Sequence, residues 1–355
     1  MRIGLAIILL VAVVHAKAQT DVQVSAHPQS KYDSTRSIYI KAYPDHFFIW
    51  PVLKQRSLEF RIQEVPETKN HLIYRPNRPY SFGAGVYLFE LVLELTGSLP
   101  ASAHSEEIYG ESRARDLQLN VFGKKWGIDL YRQKYEGFYI VDPDKPVPPD
   151  TPYPQRPDIY TRNLYGTVSY TFNSKKFSLR SAYNFTERQL KSSGSFLLFG
   201  TMNGFKTRGD SAILGKEYQA EFGADAKIME IRSTHLGVAP AYSHSLIHKS
   251  GLFINGLFAL GPANNWMVYK SEDGNETKDI RFNAFYVARI AMGYSGDRFF
   301  AGLSYSGQST SARFDSVRLR ANTGTLKILF GIRLKEFGAL KHRVAELPQI
   351  FGIQL

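Results

Sequence analysis

Several alternating segments carry charged side chains on the face opposite a row of leucine, tyrosine and phenylalanine. Four are acids and four are bases, namely Glu90, Glu94, Asp116, Asp129, Arg180, Arg289, Lys327 and Arg333. Mixed charges that line a narrow pore can select solutes or form a binding pocket. Opposite charges can also pair and fill an interior without any further task. The sequence leaves both interpretations open.

A second group of candidates consists of three histidines, His235, His244 and His248, which lie within fourteen residues. Ser243 and Ser245 flank His244. A membrane hydrolase needs a serine hydrogen-bonded to a histidine that a third group orients. Neighbours on a strand point to opposite sides, which argues against a Ser–His pair there. We therefore predict no enzyme, no catalytic residue, no cofactor and no metal, and a lipid-modifying barrel enzyme is the least favoured class.

The elements that carry the charges alternate polar and apolar residues with a period of two, which is typical of β-strands. Residues 165–185 alternate on both sides of the turn NSKK, which predicts a hairpin with Arg180 on its polar face. Residues 85–95 are predicted to form one strand with Glu90 and Glu94 on the polar face. The same pattern returns in three segments between residues 286 and 337.

The apolar rows of these strands must face either a dry core or lipid. The predicted strands run for about nine to fifteen residues, whereas strands of globular sheets usually have five or six. Aromatic residues make up 14% of the chain and lie near strand ends, as interfacial girdles require. We predict an all-β fold: an antiparallel transmembrane β-barrel of about 12 strands (10–14 possible), with short periplasmic turns and long external loops. A soluble sandwich is the alternative, because it shows the same alternation.

The first residues, MRIGLAIILLVAVVHAKAQT, combine a positive start, an apolar run and a small-x-small site, which predicts a secretory signal peptide. We expect cleavage after residue 18, a periplasmic lead-in at 19–45, an outer-membrane barrel at 46–337 and a C-terminal tail at 338–355. The loop at 141–160 holds seven prolines and is predicted not to form a ladder strand. The chain has no cysteine, which excludes disulfides and thiolate metal sites.

The formal net charge is +12, and cleavage of the signal removes Arg2 and Lys17 and no acid, leaving +10. This excess could contact outer-membrane lipid and lipopolysaccharide, or it could be a dispersed, solvated surface; clustering would decide between them. Arg75 and Arg78 in YRPNRPY could contact a lipid phosphate or a partner carboxylate, but a rigid turn is the more ordinary interpretation. Export and the absence of a basic-aromatic motif argue against nucleic acid.

Four phrases resemble a known family, domain of unknown function 4421. They are YRPNRPYSFGAGVYLFELVLEL, RDLQLNVFGKKWGIDLYRQKYEGFYI, LKSSGSFLLFGTMNGF and LGVAPAYSHSLIHKSGLFINGLF. The resemblance covers most of the mature chain and implies a Gram-negative outer-membrane barrel, without any catalytic residue. We therefore expect an outer-membrane protein, and a narrow solute channel is one interpretation of its role. The alternative is a non-conducting scaffold barrel with a periplasmic or membrane protein partner.

Overall fold

The structure is a computed structural model that describes residues 31–337, apart from 65–70, 78–79, 89–90, 221, 223–225 and 314–316. The predicted signal peptide, residues 1–18, and the predicted tail, residues 338–355, lie outside the described residues. The helices of the described part are α1 (Lys31–Tyr39), α2 (Ala103–Tyr109), α3 (Leu179–Tyr183) and α4 (Lys216–Gln219). None of these is long and apolar enough to cross a membrane.

Most of the described chain is β-strand. The strands are β1 (Ile40–Ala42), β2 (His46–Glu64), β3 (His71–Arg75), β4 (Ser81–Leu88), β5 (Leu91–Ser98), β6 (Arg113–Phe122), β7 (Trp126–Val141), β8 (Gln155–Thr171), β9 (Glu187–Gln189), β10 (Ser193–Arg208), β11 (Ile228–Ile247), β12 (Leu252–Ser271), β13 (Glu276–Ser295), β14 (Phe299–Arg313) and β15 (Val317–Lys335). The long strands carry β-branched and aromatic residues at alternate positions, which suits a pleated sheet with two different faces.

Antiparallel ladders join ten of these strands into a closed ring, in the order β2, β3, β7, β8, β10, β11, β12, β13, β14 and β15. The ring closes where β15 pairs with β2, from Val317 opposite Glu64 to Lys335 opposite His46. Closure gives each ring strand a paired strand on both sides, which satisfies backbone groups within the sheet. The predicted all-β antiparallel barrel is therefore confirmed, but the ring has ten strands, not twelve.

Three strands outside the ring explain the difference in strand number. The segment predicted as one strand at 85–95 is two strands, β4 and β5, which pair antiparallel with Leu88 opposite Leu91. β4 pairs with the first half of β2, and β6 pairs with β7. No ladder joins β5 to β6 among the described residues, so these strands do not enlarge the closed ring.

The predicted hairpin at 165–185 is correct only in its first arm, which belongs to β8. After residue 171 the chain turns into the barrel, and Arg180 lies on the short helix α3 instead of on a strand. The apolar residues of this segment occur at helical as well as alternating spacing. Leu179, Ala182 and Tyr183 are all buried, so the pattern that predicted a lipid-facing strand belongs to a segment buried inside the barrel.

The proline-rich stretch also differs in part from the prediction. β8 begins at Gln155 and includes Pro157, and its ladder with β7 changes register between Glu136 and Phe138. Pro157 lies at this irregularity, where the missing amide hydrogen costs no ladder bond. The remainder of the stretch, residues 142–154, is a loop.

The two faces of the ring strands differ as the alternation requires. In β12 the side chains of Ile254, Phe258 and Leu260 are 53%, 54% and 52% exposed, whereas Leu257 and Ala259 are buried. The exposed set is apolar and points outward. We call the end of the barrel where β2 begins and β15 ends the terminal end, and the opposite end the loop end.

Candidate functional site

The lumen of the barrel is occupied at the terminal end by residues 172–192, which we call the inner plug. Its apolar side chains join one cluster with inward-facing residues from strands around the ring; these include Phe48, Phe199, Phe253 and Phe300. Phe185 stacks on Phe300 with ring centroids 5.0 Å apart, and the Tyr183 hydroxyl donates to Asn255 Oδ1 at 2.7 Å. These large rings pack together inside the barrel at its terminal end.

The segment before the first ring strand fastens the inner plug. β1 pairs antiparallel with β9 of the plug, from Ile40 opposite Gln189 to Ala42 opposite Glu187. Arg36 of α1 donates to the carboxylate of Glu187 at 2.6 and 2.8 Å and also to the backbone carbonyl of Ser174. We call residues 31–45 the N-terminal strap, because they precede the first ring strand and contact the plug.

Glu187 is the electrostatic centre of this contact. Its side chain is 4% exposed and lies 3.0 Å from Arg180 Nη2 as well as beside Arg36. Burial alone would raise its pKa, but the two arginines and a hydrogen bond from Ser178 outweigh burial and hold the pKa of Glu187 below its ordinary value. The carboxylate therefore stays ionised and pairs with two guanidinium groups.

Arg333, a predicted lumen residue on β15, holds the plug from the barrel wall. Its guanidinium donates to the carbonyl of Phe185 at 2.9 Å and to Ser295 Oγ at 3.1 Å. The same group lies 4.4 Å from the ring centroid of Tyr43 in the N-terminal strap. One buried cation thus contacts wall, plug and strap together.

The loop end is closed by the connection between β10 and β11. Its described residues 209–220, 222 and 226–227 form what we call the loop plug. Ile213, Leu214, Tyr218 and Phe222 are buried in a second apolar cluster with inward residues of β2, β3, β7 and β15. The sequence of residues 211–232 is compatible either with a short helix in a loop or with a further strand. This region contains the short helix α4 and then enters β11.

Hydrogen bonds fix the loop plug to the barrel wall. The Tyr74 hydroxyl donates to the carbonyl of Ile213 at 2.9 Å, and Arg156 donates to the carbonyls of Ala212 and Ile213 at 2.8 and 2.7 Å. Arg156 is itself held by Asp158 at 2.7 Å. The carbonyls of Ala212 and Ile213 in the inward-folded loop thereby have hydrogen-bond partners within the barrel.

Between the two plugs lies a polar section, which we call the central chamber. Glu94 of β5 pairs with Lys54 of β2 and lies 3.7 Å from Lys327 of β15. Gln118 of β6 accepts from Lys54 at 3.3 Å. Lys54 is only 2% exposed, so its charge depends on these partners.

A second ion pair crosses the central chamber. Arg289 Nη2 of β13 lies 2.8 Å from Asp129 Oδ2 of β7, and their side chains are 7% and 2% exposed. Thr167 donates to the same carboxylate at 3.2 Å. The Arg289 guanidinium also lies 5.8 Å from the ring centroid of Phe199 and 5.9 Å from that of Tyr183 in the inner plug. The pair therefore couples opposite walls to the plug.

Little free space remains in the chamber. The cavity beside Lys54, Asp129 and Arg289 has a volume of about 60 Å³, and a neighbouring one, beside Tyr165 and Gln308, has about 40 Å³. Such volumes hold a few water molecules. A sugar, amino acid or nucleotide would not fit without movement of the plugs.

The predicted lumen residues fall into three groups. Glu94, Asp129, Arg289, Lys327 and Arg333 point into the barrel, as their contacts above describe. Arg180 lies in the inner plug. Glu90 and the side chain of Asp116 lie outside the described residues. Any role of this set in selecting a solute stays a prediction.

Three important charged residues were missed by sequence reasoning. Lys54 follows the alternation of β2 and is buried at an inward position, so the period of two could have revealed it. Glu187 and its partner Arg36 carry no such signal, because the plug and strap are not barrel strands. Only the folded chain brings them together.

The histidines lie apart from the chamber's ion pairs. His235 is buried and its Nδ1 lies 3.0 Å from Asn265 Oδ1, while the half-buried His244 contacts the Tyr242 hydroxyl at 3.1 Å. In an exposed turn, His248 Nδ1 lies 2.9 Å from Ser250 Oγ, a contact between residues two apart. In the described part of the chain no carboxylate pairs with His248, and no group of His, Asp or Glu side chains is arranged to hold a metal ion.

Solved structures similar to this chain have very low sequence identity. The attachment invasion locus protein Ail of Yersinia pestis is 9% identical, with 82% of this chain and 99% of that chain covered and a TM-score of 0.22. The P. putida toluene transporter TodX is 7% identical, covering 83% and 92%, with a TM-score of 0.26. The translocator domain of the autotransporter NalP from Neisseria meningitidis is 8% identical, covering 82% and 88%, with a TM-score of 0.31.

No curated protein matches this chain. A family model does, and it extends from the N-terminal strap to the last ring strand. The match covers residues 31–333, and the chain therefore belongs to the family described as Domain of unknown function (DUF4421).

Proposed function

We propose that this protein is an outer-membrane barrel that does not conduct solutes in its resting form and serves as a scaffold for a membrane complex. The observation that carries the proposal is the filling of the lumen from both ends. The inner plug joins one apolar cluster and the loop plug another. Between them the cavities measure about 60 and 40 Å³.

The outer surface supports the membrane location. Outward side chains such as Phe258, Leu260, Phe282 and Ile290 are about half to three-quarters exposed. An apolar belt of this extent would be a liability in water. A closed ring of strands is the form of β-sheet that a bilayer tolerates, because it leaves no backbone group unpaired in the hydrocarbon.

Single-channel recording in planar bilayers tests the closed lumen. We expect the full-length protein to be silent. A variant in which residues 174–189 and 211–226 are replaced by short Gly-Ser linkers should conduct. The matched control replaces 143–150 in the exposed loop and should stay silent. Steady conductance of the unmodified protein would refute the non-conducting barrel.

The scaffold role needs a separate experiment. Cross-linking in intact cells, followed by extraction in mild detergent, should retain a second polypeptide on the full-length protein. Recovery of the barrel alone, with and without cross-linker, would refute a scaffold role even if the lumen proved closed.

The charged central chamber favours one second candidate, a narrow solute channel that opens when the inner plug moves. Buried ion pairs cost desolvation energy, and a permanently dry plug could use apolar residues in their place. This candidate predicts conductance after release of the N-terminal strap, for example in Glu187→Gln. Silence of that variant, with the plug shown to be released, would exclude it.

We also propose that the protein is not an enzyme. A hydrolase would need a nucleophile beside an oriented base, and Ser250, which contacts His248, is part of a local turn contact. An esterase or acyl-transfer activity that Ser250→Ala abolishes would overturn this proposal.

A further inference from the structure

The two ends of the barrel carry opposite charge in their connections. The described connections at the terminal end expose seven lysine or arginine residues and two acids. The basic residues are Lys124, Lys125, Lys175, Lys176, Lys191, Lys249 and Arg298. At the loop end the described connections expose three lysines and nine acids. The basic residues of the described connections are therefore clustered at the terminal end.

Part of this charge forms a collar around the barrel. The basic collar consists of Lys124 and Lys125 before β7, Lys249 before β12, Arg298 before β14 and Lys335 at the end of β15, next to the start of β2. All five side chains belong to exposed residues. These positions are spread over the circumference instead of forming a patch on one side.

Each part of the collar lies next to an outward apolar anchor. Trp126 follows Lys125, Leu252 comes three residues after Lys249, and Phe337 comes two residues after Lys335; all three are exposed. Arg298 lies over the ring of Phe299, 5.4 Å from its centroid. Aromatic rings of barrels lie at the membrane interface, and long basic side chains beside them reach the head-group layer.

We propose that the basic collar binds the phosphate groups of anionic phospholipids in the leaflet at the terminal end. A distributed ring at head-group height matches a lipid annulus, whereas a protein partner would cover one sector or the end face. The lipopolysaccharide contact expected from net charge is less well supported, because the described connections of the loop end carry more acids than bases.

The contribution of each lysine of the collar to lipid binding is large enough to measure. Each lysine near an anionic membrane surface strengthens association by a factor of about five at moderate salt. The attraction weakens at high salt, because the screening length falls from about 10 Å at 0.1 M to about 3 Å at 1 M.

The test uses full-length protein reconstituted in phosphatidylcholine bilayers with spin-labelled lipid probes. Electron paramagnetic resonance measures the fraction of each probe that the protein immobilises. We expect spin-labelled phosphatidylglycerol to be immobilised several-fold more strongly than spin-labelled phosphatidylcholine, and the preference to fall in 1 M salt.

Two matched variants separate the collar from net charge. The collar variant replaces Lys124, Lys125, Lys249 and Lys335 by Gln and should lose the preference for phosphatidylglycerol. The control variant replaces four exposed lysines of the loop end by Gln and should keep it; these are Lys216, Lys227, Lys270 and Lys278. All eight residues are exposed, and unchanged heat-modifiable gel migration will verify folding of both variants.

Three results would overturn the proposal. The unmodified protein could fail to discriminate between the two probes, which would leave an acidic protein surface as the counterpart of the collar. The collar variant could keep the preference. The control variant could lose as much as the collar variant, which would mean that total charge, and not the collar, attracts the lipid.

Discussion

Arg36 donates hydrogen bonds of 2.6 and 2.8 Å to the carboxylate of Glu187, although 151 residues separate the two in the chain. Arg180 lies on the same carboxylate at 3.0 Å. Through this contact the residues before the first ring strand are joined to the inner plug. A change at the chain start can therefore reach the lumen without passing through the barrel wall.

Loss of this contact should release the inner plug. Removing one partner of a buried ion pair costs about 3 kcal/mol or more, because the other charge is left buried. We expect Glu187→Gln to raise the population of the released plug roughly a hundredfold. A single Ser181→Cys substitution in this cysteine-free chain gives the measurement, as the rate of labelling by a water-soluble thiol reagent.

The matched control is Lys41→Gln in the same strap, which removes an exposed ion pair with Asp297 of the turn between β13 and β14. Lys41 and Asp297 are 2.8 Å apart but 44% and 64% exposed, and such pairs contribute about 1 kcal/mol or less. Labelling of Ser181→Cys should change little. Equal acceleration by both substitutions would mean that the strap, and not Glu187, holds the plug.

Acid should have the same effect as the substitution. The pKa of Glu187 lies below its ordinary value of 4.5, so the ionised carboxylate stabilises the plug above that pH. The stabilisation is lost as the pH falls below about 4.5 through the lowered pKa of the folded state. Labelling of Ser181→Cys with dithiodipyridine, which reacts with thiols in acid, should accelerate over this range.

The acid step should be absent when Glu187 is replaced by Gln, because no titrating group then remains at that position. An unchanged acid step in Glu187→Gln would assign the pH dependence to a different group.

Each partner of the Asp129–Arg289 ion pair is expected to stabilise the barrel only while the other partner is present. Arg289→Met leaves Asp129 charged and buried, and should lower the free energy of unfolding by about 3–5 kcal/mol. The double variant Asp129→Leu with Arg289→Met should lose less than the sum of the two single variants. Urea unfolding in detergent, followed by heat-modifiable gel migration, measures the difference. Additive losses would show that the two groups act independently.

A charge on the outer belt should be costly only in a bilayer. Leu260 is 52% exposed near the middle of β12, and an arginine at the midplane of a membrane barrel costs about 2–4 kcal/mol. Leu260→Arg should therefore destabilise the folded barrel in lipid, while Asp273→Arg in an exposed turn should change stability by less than about 0.5 kcal/mol. Equal effects at both positions would contradict a lipid-facing belt.

The alternation of residues predicted the ring strands well. It identified the arms that became β8, β13, β14 and β15, and it placed Asp129, Arg289 and Lys327 on the inward face. A period of two needs only local sequence, because successive side chains of a strand point to opposite faces.

The plugs could not be predicted in the same way. Phe177, Leu179 and Phe185 are as apolar as lipid-facing residues, and composition does not distinguish the inside of a filled barrel from its outside. The break between β4 and β5 was missed because the alternating apolar residues continue across it. Contacts such as Arg36 with Glu187 depend on closure of the whole chain.

The closed ring has a consequence for the order in which the chain is assembled. β1 and the inner plug pair with each other inside a cylinder whose last ladder joins β15 to β2. A finished cylinder would have to be threaded by both segments, whereas an open sheet can curl around them. We expect the contacts between β1 and the inner plug to form while the sheet is still open. The sheet then curls around these two segments, and the pairing of β15 with β2 completes the barrel.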